Sequence, residues 1–104
     1  VGAICAALDG ARVSRLRLPS TGAEAMLVLP GSAGKGAPAP LVVHLHGGPH
    51  SAALNAYEPK IAMLLARGVA ALLPNYRGSL GFGADFVAAL PGHIGRADVD
   101  DCAQ

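Results

Sequence analysis

The sequence is poor in cysteine and aromatic residues: it has two cysteines, no tryptophan, two tyrosines and two phenylalanines among 104 residues. Cys5 and Cys102 lie near opposite ends, without the C-x-x-C spacing of a zinc site or the cysteine density of a disulfide-stabilised secreted domain. We therefore expect a reducing compartment and predict a cytoplasmic location. Apolar runs such as residues 61–66 are much shorter than the roughly 18 residues that span a membrane, and the N-terminus shows no secretory signal pattern.

An excess of charge of either sign is also missing. Eight Lys and Arg residues balance seven Asp and Glu residues, which gives a formal net charge of +1. A chain with so little net charge has no long-range attraction for polyanions. We therefore expect neither a nucleic-acid partner nor an anionic membrane partner.

The two ends of the sequence have their own patterns. Alternating polar and apolar residues at 15–18 and a short apolar run at 25–29 predict the two strands of a β-hairpin, the first of them half buried. Two short helices are predicted at the other end, over residues 84–90 and from about residue 96.

The middle of the sequence predicts a strand, a helix and a second strand. Residues 41–46 are a short β-branched run that is apolar nearly throughout, as in a strand covered on both faces, and the apolar residues 69–73 predict another buried strand. Between them, residues 59–67 have helical periodicity, with Pro59 suited to the first turn and Gly68 to the stop. This order predicts a βαβ unit with parallel strands.

A glycine-rich loop follows each of the two buried strands, at residues 46–51 and 76–83. In open parallel sheets, ligands bind beyond the carboxyl ends of the strands. Paired glycines let backbone N–H groups approach a ligand without hindrance from side chains. Such an N–H can stabilise the oxyanion that develops on a carbonyl oxygen during acyl transfer.

Three segments resemble the prolyl oligopeptidase family of serine peptidases, which has the α/β-hydrolase fold. They are LVVHLHGGPH at 41–50, NYRGSLGFG at 75–83 and LPGHIGRADVDD at 90–101. Their order and separation fit the family, and their residues are most similar to those of the acylaminoacyl peptidase branch. The resemblance is firm over residues 41–101 and weak over residues 12–30.

The resemblance implies roles for five residues of the first glycine-rich loop. The backbone N–H of Gly48 would be an oxyanion donor. Gly47 would give the turn its freedom, Pro49 would fix the exit of the loop, and His46 and His50 would support it.

In the second loop, Tyr76, Arg77 and Gly78 would have structural roles, and Arg77 would organise the loop by hydrogen bonding. The family chemistry implies no cofactor and no metal ion.

The expected fold class is α/β: a partial α/β-hydrolase fold with a parallel sheet and an N-terminal β-hairpin. Residues 1–104 would form the N-terminal portion of a peptidase catalytic domain, truncated before the strand that carries the nucleophile. No serine lies in a G-x-S-x-G elbow. Ser79 comes nearest, since Gly81 is in place, but Arg77 occupies the position of the other glycine. We therefore expect the 104-residue chain to be inactive alone.

The resemblance implies that the parent protein releases N-acylated amino acids from peptides. Its partners would be a peptide substrate, the remainder of the catalytic domain and a β-propeller, and a homo-oligomer is possible. Another oligopeptidase or a dipeptidyl peptidase of the same family is an alternative, since the specificity residues lie mostly outside this stretch.

Two other classes of function remain open. His44 and His46 are two residues apart with His50 nearby, and a His-x-His strand end can hold zinc in a metal hydrolase. Only His93 remains as a further imidazole, and no carboxylate lies near the first three in the sequence. The second class is a non-catalytic, hydrolase-like module that binds a peptide or a partner domain.

Overall fold

A computed structural model describes residues 2–34, 36 and 38–104 of the chain. Within these residues, four strands and four helices follow one another in this order: α1 (Gly2–Asp9), β1 (Arg12–Arg17), β2 (Glu24–Leu29), β3 (Leu41–Val43), α2 (Pro59–Ala66), β4 (Ala70–Asn75), α3 (Ala84–Ala88) and α4 (Ala97–Cys102).

The strands form one mixed sheet in the order β1-β2-β4-β3. The predicted N-terminal hairpin is present as the antiparallel pair β1 and β2. The predicted βαβ unit is also present, because β3 and β4 pair in parallel and α2 connects them. The prediction of a parallel sheet holds only for that pair, since β2 pairs antiparallel with β4. The hairpin extends the sheet of the βαβ unit, and this makes the sheet mixed.

Strand β3 is shorter and more exposed than its apolar sequence predicts. It ends at Val43, and its residues Leu41, Val42 and Val43 are 53%, 37% and 45% exposed. The cause is its place at one edge of the sheet, where only β4 pairs with it. The prediction of a strand covered on both faces is therefore wrong for β3 within the described structure. Strand β1, at the other edge, is exposed along its whole length rather than half buried.

Helix α2 begins and ends as its sequence predicts. Glu58 caps it through a hydrogen bond from the Lys60 N–H, and Pro59 occupies the first turn, where its missing N–H has no cost. Gly68 follows the C-terminal cap with a φ of +75°, a conformation that favours glycine. This helix returns the chain to the same end of the sheet, so that β3 and β4 run in the same direction.

The predicted strand ends at Leu73, just before Pro74, but β4 continues to Asn75. Proline lacks the N–H that a central strand needs for its ladder. However, β3 pairs only with residues 70–72 of β4, so Pro74 lies beyond the ladder on that side. Its other neighbour, across the antiparallel ladder, is Ala25. The strand therefore carries Asn75 to the base of the second glycine-rich loop.

The core lies between α2 and one face of the sheet. Its buried members come from β2, α2 and β4, and they are Met26, Ile61, Leu65, Ala71 and Leu73. Helix α1, which the sequence patterns do not predict, packs against α2 and adds Leu8 to the edge of this core.

In the described part of the chain, no helix has the length and apolar character needed to cross a membrane.

Candidate active site

The two glycine-rich loops lie side by side, beyond the carboxyl ends of the parallel strands that precede them. We call residues 46–51 the first loop and residues 76–83 the second loop. The first follows β3 and the second follows β4, whose carboxyl ends meet at one edge of the sheet. One ring stack and four hydrogen bonds described below join the two loops, and each has one partner in each loop.

His46 makes the most extensive of these contacts. Its ring stacks on that of Tyr76, with centroids 4.5 Å apart and planes 13° from parallel. The Tyr76 hydroxyl donates to the His46 carbonyl at 2.6 Å. Burial raises the pKa of Tyr76, so the phenol stays protonated and remains a donor well above neutral pH. This pair fixes the point at which the first loop leaves the end of β3.

Both ring nitrogens of His46 have partners. Nδ1 lies 3.0 Å from the Gly47 carbonyl oxygen, which can only accept, so the hydrogen is on Nδ1. In the neutral ring, Nε2 then accepts a hydrogen bond from the Ser79 hydroxyl at 2.8 Å. A metal ion at His46 would have to displace one of these bonds, and the described residues contain no group of three or more potential metal ligands.

Ser79 is fully buried, with 0% of the residue exposed. Its hydroxyl faces His46 and not the solvent. A serine in this position cannot approach a peptide carbonyl without displacing the loop, although a Ser–His hydrogen bond is otherwise the mark of an activated nucleophile. The geometry therefore makes Ser79 a structural link between the two loops.

Two further hydrogen bonds connect the far end of the first loop to the second. Nδ1 of His50 donates to the Gly78 carbonyl at 2.9 Å, and the Leu80 N–H donates to the Ser51 carbonyl at 2.8 Å. Gly78 itself is buried against Leu90, next to α3, and its N–H donates to the Phe86 carbonyl at 2.9 Å. The first loop is therefore fixed at both ends on a second loop that is itself anchored.

Between these fixed ends, the backbone of Gly47, Gly48 and Pro49 is accessible. Both glycines are exposed, and Gly48 has a φ of +137°. A Cβ atom on Gly48 would lie 2.9 Å from the main-chain nitrogen of His50, so only glycine fits this turn without a shift. Within the described residues, the Gly48 N–H donates to no acceptor. It is an exposed donor on a supported turn.

Arg77 connects the second loop to α4. Its main-chain N–H and its side chain both bind the carboxylate of Asp101, which is 1% exposed. Its Nη2 also donates to the Ala97 carbonyl at 3.1 Å. Hydrogen bonding to Asp101 raises the pKa of Arg77, so the guanidinium stays charged across the physiological range. The structure places Arg77 between the second loop and α4, and its loop-organising role stays a prediction.

The sequence patterns give no role to three residues that hold the loops: Ser79, Asp101 and Asn75. In the sequence, Ser79 is only a serine outside a G-x-S-x-G elbow, and Asp101 is only the last residue of the third segment that resembles the family. Asn75 is 5% exposed, and its side chain bonds both the N–H and the carbonyl of Ala53, just after the first loop. A polar residue at the end of an apolar strand was the available signal for Asn75. No local signal could reveal the burial of Asp101.

Known sequences and solved structures both include relatives of this chain. No protein-family model matches the chain. The human acylamino-acid-releasing enzyme is 50% identical over 78 residues, which are 75% of this chain and 11% of that enzyme.

Among solved structures, a puromycin hydrolase superposes with a TM-score of 0.77 at 30% identity, over 89% of this chain and 15% of that one. The acylaminoacyl peptidase of Pyrococcus horikoshii shares the fold with a TM-score of 0.76 at 24% identity, with the same coverage of both chains. The chain therefore spans only about a tenth of the curated relative's length.

Proposed function

Because the chain belongs to the prolyl oligopeptidase family, with the α/β-hydrolase fold, we propose that it forms the oxyanion side of the active site of a serine peptidase. The observation that carries the proposal is the Gly48 N–H, an exposed donor on a turn whose two ends are fixed. A preorganised donor of this kind is worth roughly 2.7–4 kcal/mol to the transition state of acyl transfer.

The support of the first loop is what makes the N–H suitable for this role. A donor stabilises a developing charge best when it is already in place, so that nothing has to reorganise during the reaction. The Tyr76 hydroxyl donates to the His46 carbonyl and the Tyr76 ring stacks on the His46 ring, while the His50 side chain donates to the Gly78 carbonyl. Gly47 and Pro49 complete the turn that presents the donor.

In this proposal the nucleophile lies outside the 104 residues. A serine on a G-x-S-x-G elbow, an acid and a histidine would follow Gln104 in the parent protein and would complete the triad. The exposed edge of β3 supports this proposal, because an additional strand can pair there. The 104-residue chain alone would then be inactive.

The proposed substrates are peptides with an N-acylated first residue. The name of the human relative supports this choice, since that enzyme releases acylamino acids. A β-propeller in the parent protein would restrict access to short peptides, and the parent could form a homo-oligomer. Both cysteines are free thiols, which agrees with the cytoplasmic location that we propose.

Two alternatives keep the same fold. The puromycin hydrolase among the structural neighbours favours a related peptidase with other substrates, such as an oligopeptidase or a dipeptidyl peptidase. A non-catalytic module that binds a peptide with the same loops would require only that the parent lacks the nucleophile. The His-x-His metal hydrolase is less favoured, because both ring nitrogens of His46 already have partners.

The test compares the full natural protein with the 104-residue chain. We expect a fluorophosphonate probe to label one serine in the full protein and none in the short chain. The full protein should hydrolyse N-acetyl-alanyl p-nitroanilide with a kcat/KM at least about tenfold above that for the unacetylated substrate.

The controls separate the alternatives. Faster cleavage of glycyl-prolyl p-nitroanilide would favour a dipeptidyl peptidase. A folded full protein that is neither labelled nor active would favour the binding module. A fluorophosphonate adduct on a serine of the short chain would refute the placement of the nucleophile.

A further inference from the structure

Asp101 is a charged side chain buried where solvent cannot reach it. It lies on α4, and its side chain is 0% exposed. A buried carboxylate is costly unless it is paired and fully hydrogen-bonded. The cost of burying the Asp101 carboxylate must therefore be offset by specific hydrogen-bond donors.

Arg77 supplies the hydrogen-bond donors for this carboxylate. The main-chain N–H of Arg77 lies 2.8 Å from Oδ2, and its Nε lies 3.0 Å from Oδ2 and 3.1 Å from Oδ1. Its Nη2 lies 2.9 Å from Oδ1. Asp101 therefore holds both the side chain and the backbone of Arg77. A surface ion pair, which joins only the ends of two side chains, would restrict the backbone of Arg77 much less.

The backbone at Arg77 is one residue away from two of the contacts that support the first loop. Tyr76 precedes it and donates to the His46 carbonyl. Gly78 follows it and accepts from His50. A shift of the backbone at Arg77 would move both of these partners. The first loop, with Gly48 between His46 and His50, would move with them.

We infer that Asp101 is a positioning residue for the oxyanion site, which fixes Arg77 and thereby sets the place of the Gly48 N–H. This inference rests on the proposed function. Asp101 would not touch the substrate, because it acts through the second loop. Its loss should therefore weaken stabilisation of the transition state and leave binding of the ground state nearly unchanged.

The experiment uses the full natural protein and compares Asp101→Asn with Asp100→Asn. The first variant keeps the shape of the side chain but turns an acceptor oxygen into an NH2 donor that faces the donors of Arg77. Asp100 carries the same charge on the same helix but is exposed, so it is a matched control.

For Asp101→Asn we expect the kcat on N-acetyl-alanyl p-nitroanilide to fall at least about tenfold, with KM within about twofold of the wild type. Asp100→Asn should stay within about twofold of the wild type in both constants. Equal kcat values for the two variants would overturn the inference.

Two inhibitors distinguish positioning of the oxyanion donor from a general loss of structure. N-acetyl-alaninal forms a tetrahedral adduct with an oxyanion, whereas the reduced-amide analogue of the substrate has no oxygen at the position of the scissile carbonyl. For Asp101→Asn, the Ki of the aldehyde should rise by about the same factor as kcat falls, and the Ki of the reduced amide should stay within about twofold. Equal weakening of both inhibitors would contradict a positioning role.

Arg77→Lys is a second variant in case Asp101→Asn does not fold. Lysine keeps a cation beside Asp101 and keeps the main-chain hydrogen bond, but it cannot reproduce the Nε contact. We expect a smaller fall in kcat, of about threefold to tenfold, with the same selectivity for the aldehyde. An unchanged kcat in Arg77→Lys would overturn the inference. A wild-type protein that neither hydrolyses the substrate nor binds the aldehyde would instead refute the proposed function.

Discussion

Gly78→Ala should be among the most destabilising single substitutions in this chain. A Cβ atom at Gly78 would lie 2.3 Å from Cδ2 of Leu90 and 2.9 Å from its Cβ, and the backbone φ is +99°. Overpacking a buried site costs about 1–3 kcal/mol, and a left-handed backbone costs a non-glycine residue about 1–2 kcal/mol. We therefore expect the free energy of unfolding to fall by about 3 kcal/mol, a large share of the 5–15 kcal/mol of a typical domain.

Gly81→Ala is the matched control for this prediction. Gly81 has nearly the same φ, +94°, but a Cβ atom there would meet nothing within 4 Å. It therefore shares the backbone strain and lacks the steric clash. Urea unfolding of the full protein should show Gly78→Ala to be less stable than Gly81→Ala by about 2 kcal/mol. Equal stability of the two variants would show that Leu90 does not pack on Gly78.

The largest expected effect on catalysis is that of Gly48→Ala. Alanine cannot easily adopt the φ of +137°, and its Cβ would lie 2.9 Å from the His50 nitrogen and 3.1 Å from Cβ of Ser51. The turn must shift, and the Gly48 N–H must shift with it. Loss of one oxyanion donor lowers kcat by about 10²–10³-fold. We expect a fall in this range for the full protein, with KM changed much less.

Gly47→Ala is the comparison for Gly48→Ala. Gly47 lies next to Gly48 in the same loop, but its φ is not in the left-handed region and a Cβ atom there would meet nothing within 4 Å. We expect a fall in kcat of less than about tenfold, because alanine fits this backbone without moving the donor. Equal losses in the two variants, measured with N-acetyl-alanyl p-nitroanilide, would argue against a special role for the Gly48 N–H.

The pairing of the two loops could be predicted because it depends on local rules. The runs at 41–46 and 69–73 predicted strands, Pro59 and Gly68 marked the helix between them, and parallel strands bring their carboxyl ends together. The glycine-rich segments after these strands therefore had to be neighbours. The pattern at residues 15–18 and 25–29 also predicted the hairpin, although it could not predict that the hairpin pairs antiparallel with β4.

The parts that could not be predicted depend on contacts distant in sequence. Asp101 lies in a helix turn with Asp98 and Asp100, and the sequence gives no sign that only Asp101 is buried, 24 residues away from its partner Arg77. Burial of β3 was predicted from its β-branched residues, but exposure depends on the position of a strand within the sheet. Sequence periodicity does not report that position when a run is apolar throughout.

The structure of a complex would test the role of the Gly48 N–H. The full natural protein would be crystallised with N-acetyl-alaninal bound to its nucleophile, and the distance from the Gly48 nitrogen to the oxyanion would be measured. We expect a distance of about 2.7–3.1 Å, with the hydrogen bonds of His46 and His50 to the second loop intact. An oxyanion that is held by other donors, with the Gly48 nitrogen more than about 3.6 Å away, would contradict it.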